Sequence, residues 1–403
     1  MRMFNKKKCT ESIFCIKTTA FLLVMACITS VHAESSIRVG LLSPGSPDNS
    51  FWKSVADFAT AVAEDLDIDL IIKYSNESSY GTKKSGMRLL SNLKKSDYFL
   101  TGYYRAVTMD LLQETESRGI KTAIFNTDII ETDKPLTGKP RQKFKHWIAH
   151  IRPDEISAGY ILAAELAQQA QKRYAGPYDT LAITGPLMSD ETYHGKVPRF
   201  RTALGEQEVI TIKEDTSVSA YRLAGLERYA AKDKDIKVLG YLDAFWLRQE
   251  AKRFALKTMP RYQIKIYWVA SDLMAIGVID AAKESGLTPG RDFVVGGIDW
   301  SEPGLKAVAD GELAVSMGGH FMEAGWALLL MHDYHFGYDF ISDTGTEITT
   351  TMQALTEENI NDYLRKFGDG NWNKIDFRRF SKKYNPHLSK YDFSLDAVLH
   401  SVD

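Results

Sequence analysis

The feature that most constrains the fold is a regular alternation of short apolar segments with helix-length amphipathic segments, from residue 37 to residue 297. The apolar segments have the length and composition of buried strands. Such alternation predicts mostly parallel sheets with helices on both faces. The expected strands are residues 37–42, 68–74, 98–101, 121–125 and 147–151, followed by 180–184, 236–242, 264–269 and 293–297.

The intervening segments predict helices, and the alternation runs in two series. The expected helices are residues 51–65, 82–94 and 107–118 in the first series, and 154–173, 221–231, 247–257 and 273–284 in the second. Beyond them we expect a strand at 312–317, a helix at 321–334 and a strand at 347–352. The fold class is therefore α/β, with two doubly wound Rossmann-like lobes and a hinge of chain crossovers.

We divide the chain on this basis. The first series predicts an N-terminal lobe at residues 34–151, the second series a C-terminal lobe at 152–319, and residues 356–403 are expected to form a tail packed on the lobes. Residues 186–215 have no clear place in the alternation and are interpreted as an inserted excursion.

Residues 1–33 have the composition of an export signal peptide. Lysines at residues 6–8 precede an apolar run at residues 20–28, and a site acceptable to signal peptidase ends at Ala33. We expect cleavage after Ala33 and a periplasmic product. The alternative is a lipoprotein anchored at Cys27, because residues 23–27 approximate a lipobox.

Cysteine and charge restrict the chemistry of the processed chain. The three cysteines, Cys9, Cys15 and Cys27, all lie in the signal region, which excludes disulfides, thiol catalysis and cysteine-based metal sites. The signal region carries five cations and one carboxylate, so the rest of a chain of net charge −2 has a net charge of −6. This balance argues against nucleic acid as a partner.

Two aromatic residues, Phe51 and Trp52, follow the first expected strand at its carboxyl end. Ligands bind open α/β sheets at this edge, and aromatic faces there pack well against the C–H groups of a sugar. The alternative is a hydrophobic staple at the start of a helix.

With these elements in place, the chain resembles the type I periplasmic binding proteins, the group of ribose, galactose and autoinducer receptors, over about residues 37–355. The resemblance implies a monomeric receptor that closes two lobes on a sugar or polyol without a cofactor or metal. It also implies crossovers that return residues 320–345 to the N-terminal lobe and residues 346–355 to the C-terminal lobe. Asn49, Phe51 and Trp52 match the family's first-loop ligand motif. Asn126, after the fourth strand, matches an Asp or Asn ligand, although Asn is also common in strand-end turns.

The resemblance implies further contacts from the second lobe. Asp154 and Glu155 stand where the family has Asp-Asn at its first crossover; one caps a helix, and Glu155 is expected at the ligand. Arg222 begins an R-x-x-G-L pattern whose arginine donates to ligand oxygens. A different register would put Lys196 in its place. Trp246 matches an aromatic ligand residue, with a core tryptophan as the alternative.

Three later motifs complete the implied site. Ser271 replaces the usual Asn of an N-D-x-x-A-x-G signature in which Asp272 is expected to cap the helix. Asp299 matches the carboxylate that accepts from sugar hydroxyls, and Trp300 would add a ring at the rim. His320 follows two glycines at the second crossover and could donate to the ligand.

Sequence signals for enzyme chemistry are weak. An S-x-x-K match at residues 50–53 lacks companion motifs, and the histidine pairs 146/150 and 332/335 lack the glutamate of a zinc-protease helix. We therefore expect a binding protein that delivers its ligand to the membrane permease of an ABC transporter. The alternative is a receptor that regulates a membrane sensor kinase or cyclase, and a glycan-processing enzyme ranks third.

Overall fold

The computed structural model describes residues 36–75, 79–186 and 218–402 and contains two six-stranded sheets. The first sheet is composed of β1 (Arg38–Ser43), β2 (Asp69–Tyr74), β3 (Tyr98–Gly102), β4 (Lys121–Phe125), β5 (Trp147–Pro153) and β11 (Glu347–Thr350). The second is composed of β6 (Tyr178–Thr184), β7 (Ile236–Asp243), β8 (Ile266–Val269), β9 (Val294–Ile298), β10 (Val315–Gly318) and β12 (Gln353–Thr356). The signal region, most of the 186–215 excursion and the alternative Lys196 register lie outside the described residues.

The strand orders are those of doubly wound sheets. They are β11-β5-β4-β3-β1-β2 and β12-β10-β9-β8-β6-β7, and the neighbouring strands are parallel except for the antiparallel pair of β10 and β12. Parallel pairing follows from the intervening helices, which return the chain to the same end of the sheet. The predicted fold class is confirmed.

The helices fall into three groups. The first lobe has α1 (Ser50–Asp65), α2 (Ser79–Ser91), α3 (Thr108–Arg118), α4 (Lys134–Thr137) and α10 (Glu323–His335). The second has α5 (Glu155–Gln171), α6 (Val218–Ala230), α7 (Arg248–Thr258), α8 (Asp272–Glu284) and α9 (Glu302–Ala309). The tail has α11 (Ile360–Phe367) and α12 (Leu395–His400), with short 3-10 turns at Trp372–Lys374 and Phe377–Phe380. Within the described ranges, no helix has the length and apolar character needed to cross a membrane.

The chain passes between the sheets three times. The first crossover joins β5 to α5, and Asp154 caps α5 by accepting from the Ser157 amide. The second leaves β10 through Gly319, whose φ of 105° lies in the region that favours glycine, and forms the 3-10 turn His320–Met322. The third lies between β11 and β12.

The position of the third crossover corrects the expected lobe boundary. Residues 346–355 were expected to belong to the second lobe, but β11 pairs in parallel with β5 in the first sheet. Only β12 joins the second sheet. The strand predicted at 347–352 runs past the end of β11 into the crossover. The break was not predicted because residues 350–353, Thr-Thr-Met-Gln, contain no glycine or proline to mark it.

Residues 357–402, which we call the C-terminal brace, extend from the second sheet across the first lobe. Four buried residues of the brace, Trp372, Phe377, Phe380 and Tyr391, belong to the main hydrophobic core. These residues are buried against α1 and α10. Trp326 of α10 is 1% exposed because the brace covers it. The helix α10 is therefore apolar on nearly every face because it lies between the first sheet and the brace.

Candidate functional site

A buried arginine forms the centre of the region between the lobes. Arg222, on α6, donates from Nε to Oε2 of Glu155 at 2.6 Å and from Nη1 to the carbonyl oxygen of Ala270 at 2.7 Å. Its Nη2 is 3.3 Å from Oε1 of Glu155 and 3.4 Å from Nε2 of His320. Its Nη1 also lies 3.5 Å from Oδ1 of Asp299. These contacts engage all five N–H groups of the guanidinium.

The two carboxylates keep this arginine charged in a dry environment. Burial alone lowers the pKa of Arg222, but attraction to Glu155 and then Asp299 offsets it, and the net pKa is raised. Burial raises the pKa of Asp299 above its ordinary value, against the opposing effect of Arg222. Glu155 was expected to contact ligand, but its carboxylate is engaged in an ion pair with Arg222 that is nearly inaccessible to solvent.

His320 connects this network to the first lobe. Its ring stacks on Phe51 with centroids 4.7 Å apart and planes at 27°. Burial, and then the nearby Arg222, lowers the pKa of His320 to about 3, so the imidazole is neutral. Because arginine can only donate, Nε2 of His320 acts as the acceptor and its proton resides on Nδ1. That Nδ1 has no hydrogen-bond partner among the described residues.

A second carboxyl group, Glu323, joins the end of β4 to the third crossover. Its Oε2 accepts from the backbone amide of Asn126 at 2.9 Å, and its Oε1 contacts the hydroxyl of Thr350. Asn126 has a left-handed φ of 68°, and its amide also donates to the carbonyl oxygen of Ile151. Burial raises the pKa of Glu323 to about 8. The carboxyl group thus holds Asn126 in a strained conformation at the strand end.

The turn after β9 presents Asp299, and a neighbouring aspartate anchors it. Asp272 accepts from the amide and hydroxyl of Ser301 at 2.9 and 3.1 Å and from the hydroxyl of Ser316 at 2.8 Å. The expected helix cap at Asp272 is wrong, because Ser271 is the cap and accepts from the Met274 amide. Asp272 instead turns toward the β9–α9 loop, where buried donors need an acceptor.

The ring of Trp300 has a different position from the one expected. It was predicted at the rim of the site, but it is 2% exposed and donates from Nε1 to the carbonyl oxygen of Ser316. The tryptophan fills space beside Gly318, where a β-carbon would come within 2.3 Å of it. Trp300 therefore supports the Asp299 turn from behind.

The two tryptophans expected at the ligand, Trp52 and Trp246, lie against glycine backbone. A β-carbon at Gly45 would be 1.9 Å from Trp52, and one at Gly185 would be 2.1 Å from Trp246. Trp52 meets Phe51 edge to face at 5.0 Å, and the Arg222 guanidinium lies 5.8 Å from the Trp246 ring centroid. Both indoles are half-buried. Each loop thus holds a partly exposed ring in place.

Asn49 and Ser271 are engaged in capping. Asn49 caps α1 by accepting from the amides of Phe51 and Trp52 at 3.0 and 3.3 Å. Ser271 caps α8, and its hydroxyl keeps one hydrogen for donation. Direct ligand contact by either residue remains a prediction.

Buried polar atoms without a partner among the described residues mark the same loops and helix starts. Six of the ten such atoms lie there: Ser43 Oγ, Ser50 Oγ, Asn126 Nδ2, Arg152 Nη1, Ser219 Oγ and His320 Nδ1; the other four, on His146, Tyr174, Tyr267 and His332, lie elsewhere. The strained turns coincide with them, since Asn126, Trp246 and Asp299 all have positive φ. The described part of the chain contains no group of three or more metal-ligating side chains.

Continuous contacts bring together seven of the ten predicted site residues: Phe51, Trp52, Glu155, Arg222, Trp246, Asp299 and His320. Asn126 is connected through Glu323, three residues after His320. Sequence analysis missed Glu323, Arg152 and the buried serines. A glutamate in the first turn of a helix has a common structural role, so no local pattern distinguishes Glu323 as a site residue.

Comparison with known proteins agrees with this architecture. Residues 39–335 match the model of the periplasmic binding protein domain. A xylitol-binding protein of Mycolicibacterium smegmatis is 27% identical over 215 residues, which are 52% of this chain and 50% of that protein. The chain thus spans about half the length of this curated relative.

Solved structures extend the similarity to nearly the whole chain. A periplasmic sugar-binding protein from Pseudomonas fluorescens is 28% identical with a TM-score of 0.74, covering 90% of this chain and 99% of that one. The arabinose transporter component of Shewanella sp. ANA-3 is 18% identical with a TM-score of 0.65, covering 83% and 96%, and supports the fold. These matched proteins are binding proteins. With its two doubly wound sheets and three crossovers, the chain belongs to the periplasmic binding protein family and has the type I fold.

Proposed function

We propose that this protein is a periplasmic receptor that encloses one uncharged sugar or polyol between its lobes and delivers it to an ABC transporter. The observation that carries the proposal is the buried network of Arg222, Glu155, Asp299 and His320 beside the second crossover. Phe51 reaches this network from the first lobe. A ligand placed there would contact both lobes and would stabilise their closed arrangement.

The charge balance favours an uncharged ligand. Arg222 has a carboxylate partner on each side, and Arg152 lies 3.3 Å from a carboxylate oxygen of Asp128. An anionic ligand would find the charge of each cation already balanced, although Arg152 Nη1 keeps a free donor, and would approach Glu155 and Asp299 at close range. Like charges in a poorly solvated site repel strongly, so sugar acids and sugar phosphates are disfavoured.

The free hydrogen-bonding groups favour hydroxyls. Asn126 Nδ2 and His320 Nδ1 are donors, the Asp299 carboxylate is an acceptor, and the Ser43 and Ser219 hydroxyls are both. A polyol hydroxyl can both donate and accept, so one molecule satisfies this mixed set. The similarity to a xylitol-binding protein and a sugar-binding protein supports the same class.

A thermal-shift screen followed by calorimetric titration tests the ligand class. Xylitol, L-arabinose, D-allose and myo-inositol would be compared with a sugar acid and a sugar phosphate. A neutral compound at one hundred times its Kd should stabilise the protein by about 2.7 kcal/mol. The ligand should be recovered intact, and a chelator should not change its affinity. Stronger binding of an anion, or turnover of the ligand, would refute the proposal.

Transport and signalling share this binding step and differ in the membrane partner. We infer transport, with a monomeric receptor, because the relatives include a component of an arabinose transporter. Deletion of the gene should abolish uptake of the radiolabelled ligand at low concentration. Normal uptake with a lost transcriptional response to the ligand would favour the sensor kinase or cyclase.

A further inference from the structure

The C-terminal brace forms a row of aromatic rings from one lobe to the other. Trp300 of the second lobe lies 5.1 Å from Tyr363, and Tyr363 lies 5.8 Å from Phe367. Phe367 stacks on Trp372 at 5.0 Å, and Trp372 lies 5.4 Å from Phe58 of the first lobe. All five rings are buried. We call this row the aromatic ladder.

Hydrogen bonds fix the brace to the first lobe at two places. The carboxylate of Asp65, at the end of α1, accepts from the Phe377 amide at 2.6 Å. The buried carboxylate of Asp333, on α10, accepts from the Ser381 hydroxyl and the Lys382 amide, both at 2.5 Å, and from the Tyr391 hydroxyl at 2.9 Å. The part of the brace from Phe377 to Tyr391 is therefore anchored to the first lobe.

The brace also contacts residues that are adjacent in sequence to two polar residues of the candidate site. Tyr363 packs on Trp300, which directly follows Asp299. At the crossover, Trp372 lies 5.2 Å from Phe321, which directly follows His320. Both Asp299 and Trp300 have positive φ, so their turn needs support from its surroundings. The ladder thus contacts the neighbours of two polar residues of the site.

We propose that the aromatic ladder is a fourth connection between the lobes, which limits the range over which they separate and positions Asp299 and His320 for ligand. Relative rotation of the lobes would separate Tyr363 from Trp300 or shift the whole ladder, and either change exposes large buried rings. Tyr363 and Trp372 are positioning residues in this scheme. The effect on ligand affinity rests on the proposed function, whereas the effect on lobe separation does not.

The distance between the lobes provides the decisive test. The chain after Cys27 has no cysteine, so Lys84→Cys on α2 and Lys257→Cys on α7 place two spin labels at exposed positions on opposite lobes. Pulsed electron resonance should give a narrow distance distribution for the parent protein without ligand. Tyr363→Ala should broaden it, whereas Tyr363→Phe, which keeps the ring, should not.

A matched control separates this effect from general loss of packing. Phe393 of the brace stacks on Trp326 at 5.1 Å entirely within the first-lobe side, so Phe393→Ala removes a ring without interrupting the ladder. It should lower the melting temperature and leave the distribution narrow. If Tyr363→Ala does not fold, Tyr363→Leu takes its place. Equal widths of the distance distribution for Tyr363→Ala, Phe393→Ala and the parent protein would overturn the proposal.

Affinity provides a second readout, with xylitol as the probe. Tyr363→Ala should raise the Kd for xylitol at least tenfold, and Tyr363→Phe should restore the parent value. An unchanged Kd with a broadened distribution would remove the positioning role from the proposal. If the parent binds none of the sugars or polyols, the proposed function fails, and the distance measurement still decides whether the ladder holds the lobes.

Discussion

Individual residues at strand ends could be predicted because parallel sheets bring their carboxyl ends to one edge. Asn126 and Asp299 follow buried strands; Asn126 is bonded to Glu323 of α10, and Asp299 lies against Arg222 and against His320 of the second crossover. Their contact with ligand stays a prediction. Glu323 could not be selected in this way. Its importance depends on contacts with Asn126 and Thr350, which are 197 and 27 residues away in the chain.

Asp299→Ala should weaken ligand binding by about 2–4 kcal/mol, because the ligand hydroxyls lose their acceptor in a dry site. The fold should persist, since Arg222 keeps its bond to Glu155. Asp310→Ala, at a half-exposed position at the end of α9, is the matched control and should bind normally. Calorimetric titration measures both, and equal affinities would remove Asp299 from the site.

Glu323 should make stability depend on pH. Burial raises its pKa from 4.5 in the unfolded chain to about 8, so the folded state binds the proton more tightly. Its stabilising contribution is full below pH 4.5 and is lost as the pH rises through 8, by at most about 1.4 kcal/mol per pH unit. Glu323→Gln keeps both hydrogen bonds and should flatten this dependence in denaturant titrations. The same slope in both proteins would contradict the assignment.

Among the secondary-structure elements, the order of β1 to β10 along the chain could be predicted from the hydrophobic periodicity. Their parallel pairing followed from the alternation with helices. The helix α9 was missed although it has a clear start signal, Ser301 followed by an acidic residue and proline. The split between β11 and β12 had no such signal. Their assignment to different sheets depends on tertiary pairing, which a strand of four residues does not specify locally.

Asp333→Ala should detach the middle of the brace from α10. The change leaves the Ser381 hydroxyl, the Lys382 amide and the Tyr391 hydroxyl without their acceptor. Each buried donor left unpaired costs about 1–3 kcal/mol, so the free energy of unfolding should fall by at least 2 kcal/mol. Asp362→Ala, at an exposed position on α11, is the control and should change stability little. Chemical denaturation compares the two.

For the whole molecule, the signal region remains a prediction with a direct test. Cleavage after Ala33 should give a periplasmic protein whose first residue is Glu34. Mass spectrometry of the protein from a periplasmic extract measures this terminus. An acylated Cys27 at the terminus of a membrane fraction would establish the lipoprotein in its place.

Neither lobe is a continuous stretch of chain, and this affects when the protein can fold. The outer edge of β5 pairs with β11, and Phe58 is covered by rings of α10 and the brace. These parts follow most of the second lobe in the chain, so the first lobe cannot complete its core while the ribosome is still making that part of the second. This order is compatible with the export predicted from the signal region, because premature folding would block the passage of an unfolded chain across a membrane. Maturation of both lobes is thus coupled to the arrival of β11, β12 and the C-terminal brace.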